Sequence, residues 1–115
     1  MTPHGEIAVA FASALVEGDF ARAHGLLAPA LRERLTPGAL REELHAMFEG
    51  YADGKPTGIE YDDEFSMTEW PDKQPLDVGW AMVPIMGEDF VEAVTAVVAE
   101  IDGVLLIRDV EWGRP

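Results

Sequence analysis

Cysteine is missing from this chain, which removes disulfides, thiol catalysis and thiolate metal sites and leaves the redox compartment open. Long apolar runs are missing as well. IAVAFASALV, in the first helical stretch, is ten residues long with a serine inside, too short to cross a bilayer. The leader MTPHGE carries no Lys or Arg and makes a poor signal peptide, so a cytoplasmic location is expected. Only two serines occur, Ser13 and Ser66, and neither sits in a GxSxG elbow. There is no HExxH pair, no glycine-rich phosphate loop and no DxDxDG calcium loop. No metal or cofactor is expected from such a set.

Bases are the scarcest class. Eight Lys and Arg face 22 Asp and Glu, for a net charge of −14. The imbalance is uneven. Residues 1–57 hold 8 acids and 5 bases, net −3, whereas residues 58–115 hold 14 acids and 3 bases, net −11. Nucleic acid and anionic membrane surfaces are excluded as partners, because phosphates need clustered cations. A basic protein partner or a cationic ligand is allowed. Plain solubility is the other reading of the same charge.

What is present is a globular composition, 48% hydrophobic and 26% charged, over 115 residues, the size of one domain spanning 1–115. Thr2-Pro3 is a helix start, a capping hydroxyl before a proline at the first helical position. Ile7, Phe11 and Leu15 then mark a buried face, and Gly18 ends the helix. Asp19 caps a second helix with a stripe of Phe20, Ala23, His24, Leu27 and Leu31. Pro29 should break it near Ala28 and leave a short extra turn across 29–34. Thr36-Pro37 opens a third helix, with Leu40, Leu44, Met47, Phe48 and Tyr51 inward.

The period then changes to two. Ile59, Tyr61, Phe65 and Met67 alternate with Glu60, Asp62, Glu64, Ser66 and Thr68, which predicts a strand with one dry face and an acidic ladder on the other. Further strands are expected over 78–86, 90–101 and 104–112, the last two joined by an Asp102-Gly103 turn. The last two carry apolar side chains on both faces. Helices can cover one face only, so a second copy of the chain is expected on the other, giving a homodimer through the sheet.

The stretch ALVEGDFARAHGLLAPALRERLTPGALREELHAMF resembles the helical half of nuclear-transport-factor-2-like domains, and EIDGVLLIRDVEW is similar to their closing hairpin. The resemblance implies an α+β fold: three N-terminal helices packed in a strongly curved, cone-like antiparallel sheet of four or more strands. It also implies an apolar pocket at the open end and dimers through the sheet. The family includes steroid isomerases, polyketide cyclases, dehydratases, transport adaptors, association domains and toxin-immunity proteins, so the fold alone decides little. The isomerases' pocket Asp base, Tyr and protonated Asp cannot be matched one by one to this chain, which has two tyrosines, Tyr51 and Tyr61.

Candidate chemistry centres on YDDEF, residues 61–65. By alternation Asp63 falls on the inward face, where burial would raise its pKa and fit it to act as a general base with Tyr61 or His24. A bulge at Asp62-Asp63 would instead return it to water. His24 is either a pocket base or a neutral, hydrogen-bonded structural residue. Trp80 and Met82 could line the pocket or fill it. His4 and His45 are expected at the surface. Two functions follow. One is a non-catalytic homodimeric module binding a protein or a small apolar ligand. The other is a small-pocket isomerase, cyclase or dehydratase using Asp63.

Overall fold

The computed structural model describes residues 1–51 and 54–114. Among the described residues four helices precede a sheet: α1 Pro3–Glu17, α2 Phe20–Gly25, α3 Pro29–Arg34 and α4 Pro37–Phe48. The strands are β1 Pro56–Ile59, β2 Ser66–Met67, β3 Asp77–Gly87, β4 Val91–Ile101 and β5 Val104–Trp112. All pairings are antiparallel, in the order β1–β3–β4–β5, with β2 also on β3, so the sheet is open.

The helix boundaries follow from side-chain caps. Thr2 accepts from the Gly5 N–H at 3.1 Å, Asp19 from Arg22 N–H at 3.1 Å and Thr36 from Ala39 N–H at 3.1 Å. Gly18 closes α1 in the left-handed region at φ 77°. The expected three helices are four. Pro29 cannot continue α2, which stops at Gly25, and the proline instead occupies the first position of α3.

Parity divides the sheet. Ala81, Val83 and Ile85 of β3, Val94, Ala96 and Val98 of β4, and Ile107 of β5 join Phe11, Leu15, Leu27, Leu40 and Phe48 in one buried cluster on the helix side. Trp112 adds a tilted contact with Phe11, ring centroids 6.4 Å apart. The outer side carries Trp80, Met82, Pro84 and Met86 of β3 beside Ala93, Thr95, Val97 and Ala99 of β4. The β4 residues are buried there between the larger side chains of β3 and β5.

Two register shifts flank β4. One lies between Asp77 and Gly79 against β4, and the other sets Ile107 and Asp109 opposite Val98 and Val97, leaving Arg108 as the extra residue. The strand before them departs from expectation. Residues 59–68 were expected as one alternating strand, but β1 ends at Ile59 and a 3₁₀ turn over Asp63–Phe65 precedes the two-residue β2. Asp62, expected on a wet ladder with Glu60 and Glu64, accepts from the Glu64 N–H at 2.9 Å and caps that turn. The Asp102-Gly103 turn forms as expected, with φ of 52° and 80°, as a two-residue hairpin requires. The chain between α2 and α3 lies on the free edge of β5: Ile107 N–H donates to the Leu26 carbonyl at 2.9 Å and Ala28 N–H to the Ile107 carbonyl at 2.7 Å. Among the described residues no helix is long and apolar enough to cross a membrane.

Candidate functional site

The five residues singled out from the sequence do not converge. Tyr61 and Asp63 are neighbours at the N-terminus of α1. His24 stands in the last turn of α2 and reaches α3. Trp80 and Met82 stand on the outer side of the sheet.

Asp63 reverses its expectation. It stands in the 3₁₀ turn with its side chain 42% exposed, because the turn swings it out of the strand alternation. Its Oδ1 accepts the Thr2 backbone N–H at 3.2 Å. That hydrogen bond, helped by the Met1 ammonium, holds the carboxyl below its ordinary range against an opposing push from burial, so the pKa moves down rather than up. Such a carboxylate is a weaker base than a free one and serves α1 as an N-terminal anion.

Tyr61 places its hydroxyl against Gly5, where a Cβ would come within 2.6 Å of the oxygen. Burial raises the Tyr61 pKa, with the nearby Asp63 charge adding to it, so the phenol stays protonated. His4 completes this corner. Its place in the first turn suggests a surface position, yet it is 5% exposed, its ring lies on the backbone of Gly79, and its Nε2 is buried without a partner. Burial lowers the His4 pKa, partly offset by the Asp63 charge. Its spacing to Ala8, Phe11 and Leu15 already put it on the buried stripe. An apolar recess of about 460 Å³ opens beside it, lined by Pro3, His4, Val78 and Leu105 among others.

His24 is committed elsewhere. Its Nε2–H donates to the Arg32 carbonyl at 3.0 Å, while Arg32 donates through a guanidinium nitrogen to the Gly25 carbonyl at 3.1 Å. The pair ties α2 to α3 and offers no base at Nε2.

The outer side holds a constellation that sequence patterning does not reveal. Asp77 has a fully buried side chain, and Arg108 donates to it twice, Nε to Oδ1 at 2.6 Å and a terminal nitrogen to Oδ2 at 2.7 Å. Asp77 Oδ2 also accepts the Gln74 N–H at 2.8 Å. Burial pushes the Asp77 carboxyl up, but these hydrogen bonds outweigh it and hold the pKa below the ordinary value. The pair secures the loop 68–76 against the sheet. Between loop and sheet lies a recess of about 330 Å³, lined among others by Trp70, Trp80, Asp72, Asp109 and Glu111, with Val97 also in its wall. The bulge that leaves Arg108 of β5 without a partner on β4 carries no sequence signal.

Comparison with protein-family models, with curated proteins and with solved structures returns no match to this chain.

Proposed function

We propose that the chain is a non-catalytic interaction module of the nuclear-transport-factor-2-like kind. It pairs with a second copy through the outer side of β3 and β4 and binds a protein partner through its acidic half. The observation that carries this reading is the row Met82, Pro84 and Met86, half-buried on the side of the sheet opposite the helices, while Trp80 at the end of the row lines the recess under the loop 68–76. Apolar rows of that kind are covered in functioning proteins, and a two-fold pairing sets like against like. The interior, meanwhile, is filled by Phe11, Phe48, Leu15, Leu27 and Leu40, all at most 1% exposed. The alternative, an isomerase, cyclase or dehydratase with Asp63 as base, is the weaker reading. Its base is exposed with a lowered pKa, and His24 is hydrogen-bonded to the backbone.

Light scattering at micromolar concentration is expected to give a dimer mass, and Met82→Asp a monomer. Two chains of net −14 repel each other. Raising salt from about 0.05 to about 0.5 M should therefore strengthen the pairing, since screening shortens the reach of that repulsion. A monomer mass at both ionic strengths would end the self-association reading.

A further inference from the structure

We propose that the recess between the loop 68–76 and the outer side of the sheet is a socket for a basic side chain, the ammonium of a lysine or the guanidinium of an arginine, carried by a protein partner. This rests on the reading of the outer side as the chain's binding surface and names the chemistry of one part of it.

The socket is built from two tight turns. WPDK, residues 70–73, closes through the Lys73 N–H to the Trp70 carbonyl at 3.2 Å, and QPLD, residues 74–77, through the Asp77 N–H to the Gln74 carbonyl at 3.0 Å. Each has proline at its second position, where the fixed φ suits a turn. Asp77 and Arg108 then fasten the second turn to the sheet. Trp70 is thereby brought to the same cavity as Trp80 of β3. A volume of about 330 Å³ lies at the small end for ligand sites and suits one long side chain better than a large metabolite.

The lining favours a cation. Indole faces attract ammonium and guanidinium groups. Trp70 already has one in range, the Lys73 Nζ at 5.8 Å from its ring centroid. Three carboxylates, Asp72, Asp109 and Glu111, share the wall. Among the described residues none of the three is in an ion pair, whereas Arg108, the cation of the lining, is neutralised by both oxygens of Asp77. The uncompensated charge in the recess is therefore negative. Met67 and Val97 in the same wall give an apolar track for the methylenes of a lysine or arginine stem. A free inorganic cation would make no use of that track. The net −11 of residues 58–115 draws a basic partner toward this half.

The test is a titration of the full chain, followed by amide and indole NMR at fixed ionic strength. The probes are acetyl-Gly-Arg-Gly-amide and acetyl-Gly-Lys-Gly-amide, with the citrulline peptide as the neutral isostere. Saturable shifts of the Trp70 and Trp80 indole N–H signals, with Trp112 beside Phe11 unmoved, are expected for a basic peptide and not for the citrulline one. Glu111→Gln and Asp109→Asn should each weaken binding by up to about five-fold, the effect of losing one exposed ion pair. Trp70→Leu should weaken it more, with unmoved Trp112 signals certifying the fold. Equal binding of the citrulline peptide, or no saturation with either basic peptide, overturns the proposal. Guanidinium ion alone matching the arginine peptide would make this a small-cation site and overturn the protein source. A chain that dimerises yet ignores the peptides removes the socket alone. A monomer that binds them removes only the self-association.

Discussion

Arg108→Leu is expected to lower the unfolding free energy by about 3 kcal/mol, the lower end for breaking a buried ion pair. The lower end applies because the arginine side chain is 23% exposed while that of Asp77 is 0% exposed. The cost comes from the partner left behind. Asp77 lies opposite Ala99 in the register, under the loop, and without Arg108 it keeps only the Gln74 N–H. Its pKa should then pass from below the ordinary carboxylate value to above it, because burial, the largest influence on it, is opposed only by the Gln74 N–H and the charge of Lys73. The pH dependence of this segment changes sign with it. In the parent, the depressed pKa gives stability that is present above about pH 4 and lost on acidification. In the variant, the deficit shrinks as pH falls toward about 4 and Asp77 takes up a proton. Asp77→Leu together with Arg108→Leu should recover most of the loss. Urea unfolding at neutral and acid pH measures all of this. A loss under about 1 kcal/mol for Arg108→Leu would show that the pair behaves as an ordinary surface salt bridge.

Gly79→Ala is the second large effect, a loss of about 1–3 kcal/mol from overpacking. A Cβ at position 79 runs into the His4 ring, whose Cγ, Cδ2 and Nδ1 all crowd it. In a His4→Ala background the same change should be close to neutral, so the two sites couple strongly in a double-mutant cycle. His4 brings a pH signature of its own. Its folded pKa lies below 6.5, chiefly through burial, so the unfolded chain binds the proton more readily. Stability should therefore fall as pH drops below about 6.5 and level off beneath the folded pKa. His4→Ala should flatten that slope. A slope unchanged by His4→Ala would show that other groups produce it.

Features fixed by local chemistry could be read from the sequence. Thr2-Pro3, Thr36-Pro37 and Asp102-Gly103 each dictate backbone geometry within a few residues, and the helix starts and the hairpin follow from them. The two-faced character of β4 was equally plain in its alternation. The stretch 59–68 misled because its apolar positions keep period two while the Asp62 side chain competes for the backbone and turns it. Asp63 and Tyr61 lie together, but what they touch is Thr2 and Gly5 at the start of α1, some sixty residues away in sequence. His4 could have been found from spacing alone, whereas the Trp70–Trp80 recess could not. The turns WPDK and QPLD announce themselves, but nothing local says that they fold back over β3, and bulges leave no mark in composition.

The pairing of Leu26 and Ala28 with Ile107 sets an order of events during synthesis. The helices emerge first, yet the edge that receives the α2–α3 connection belongs to the final strand. At about 5–20 residues per second, roughly 4–16 s separate the appearance of Leu27 from that of Ile107. Until β3 and β4 have emerged, Phe11, Leu27 and Leu40 have no sheet to bury them, and Leu27 lacks its β5 edge to the end of the interval. Contacts so distant in sequence close slowly, so those of the final strand are expected to form last. Retardation of β5 at the ribosome would prolong that exposure and invite aggregation or chaperone capture.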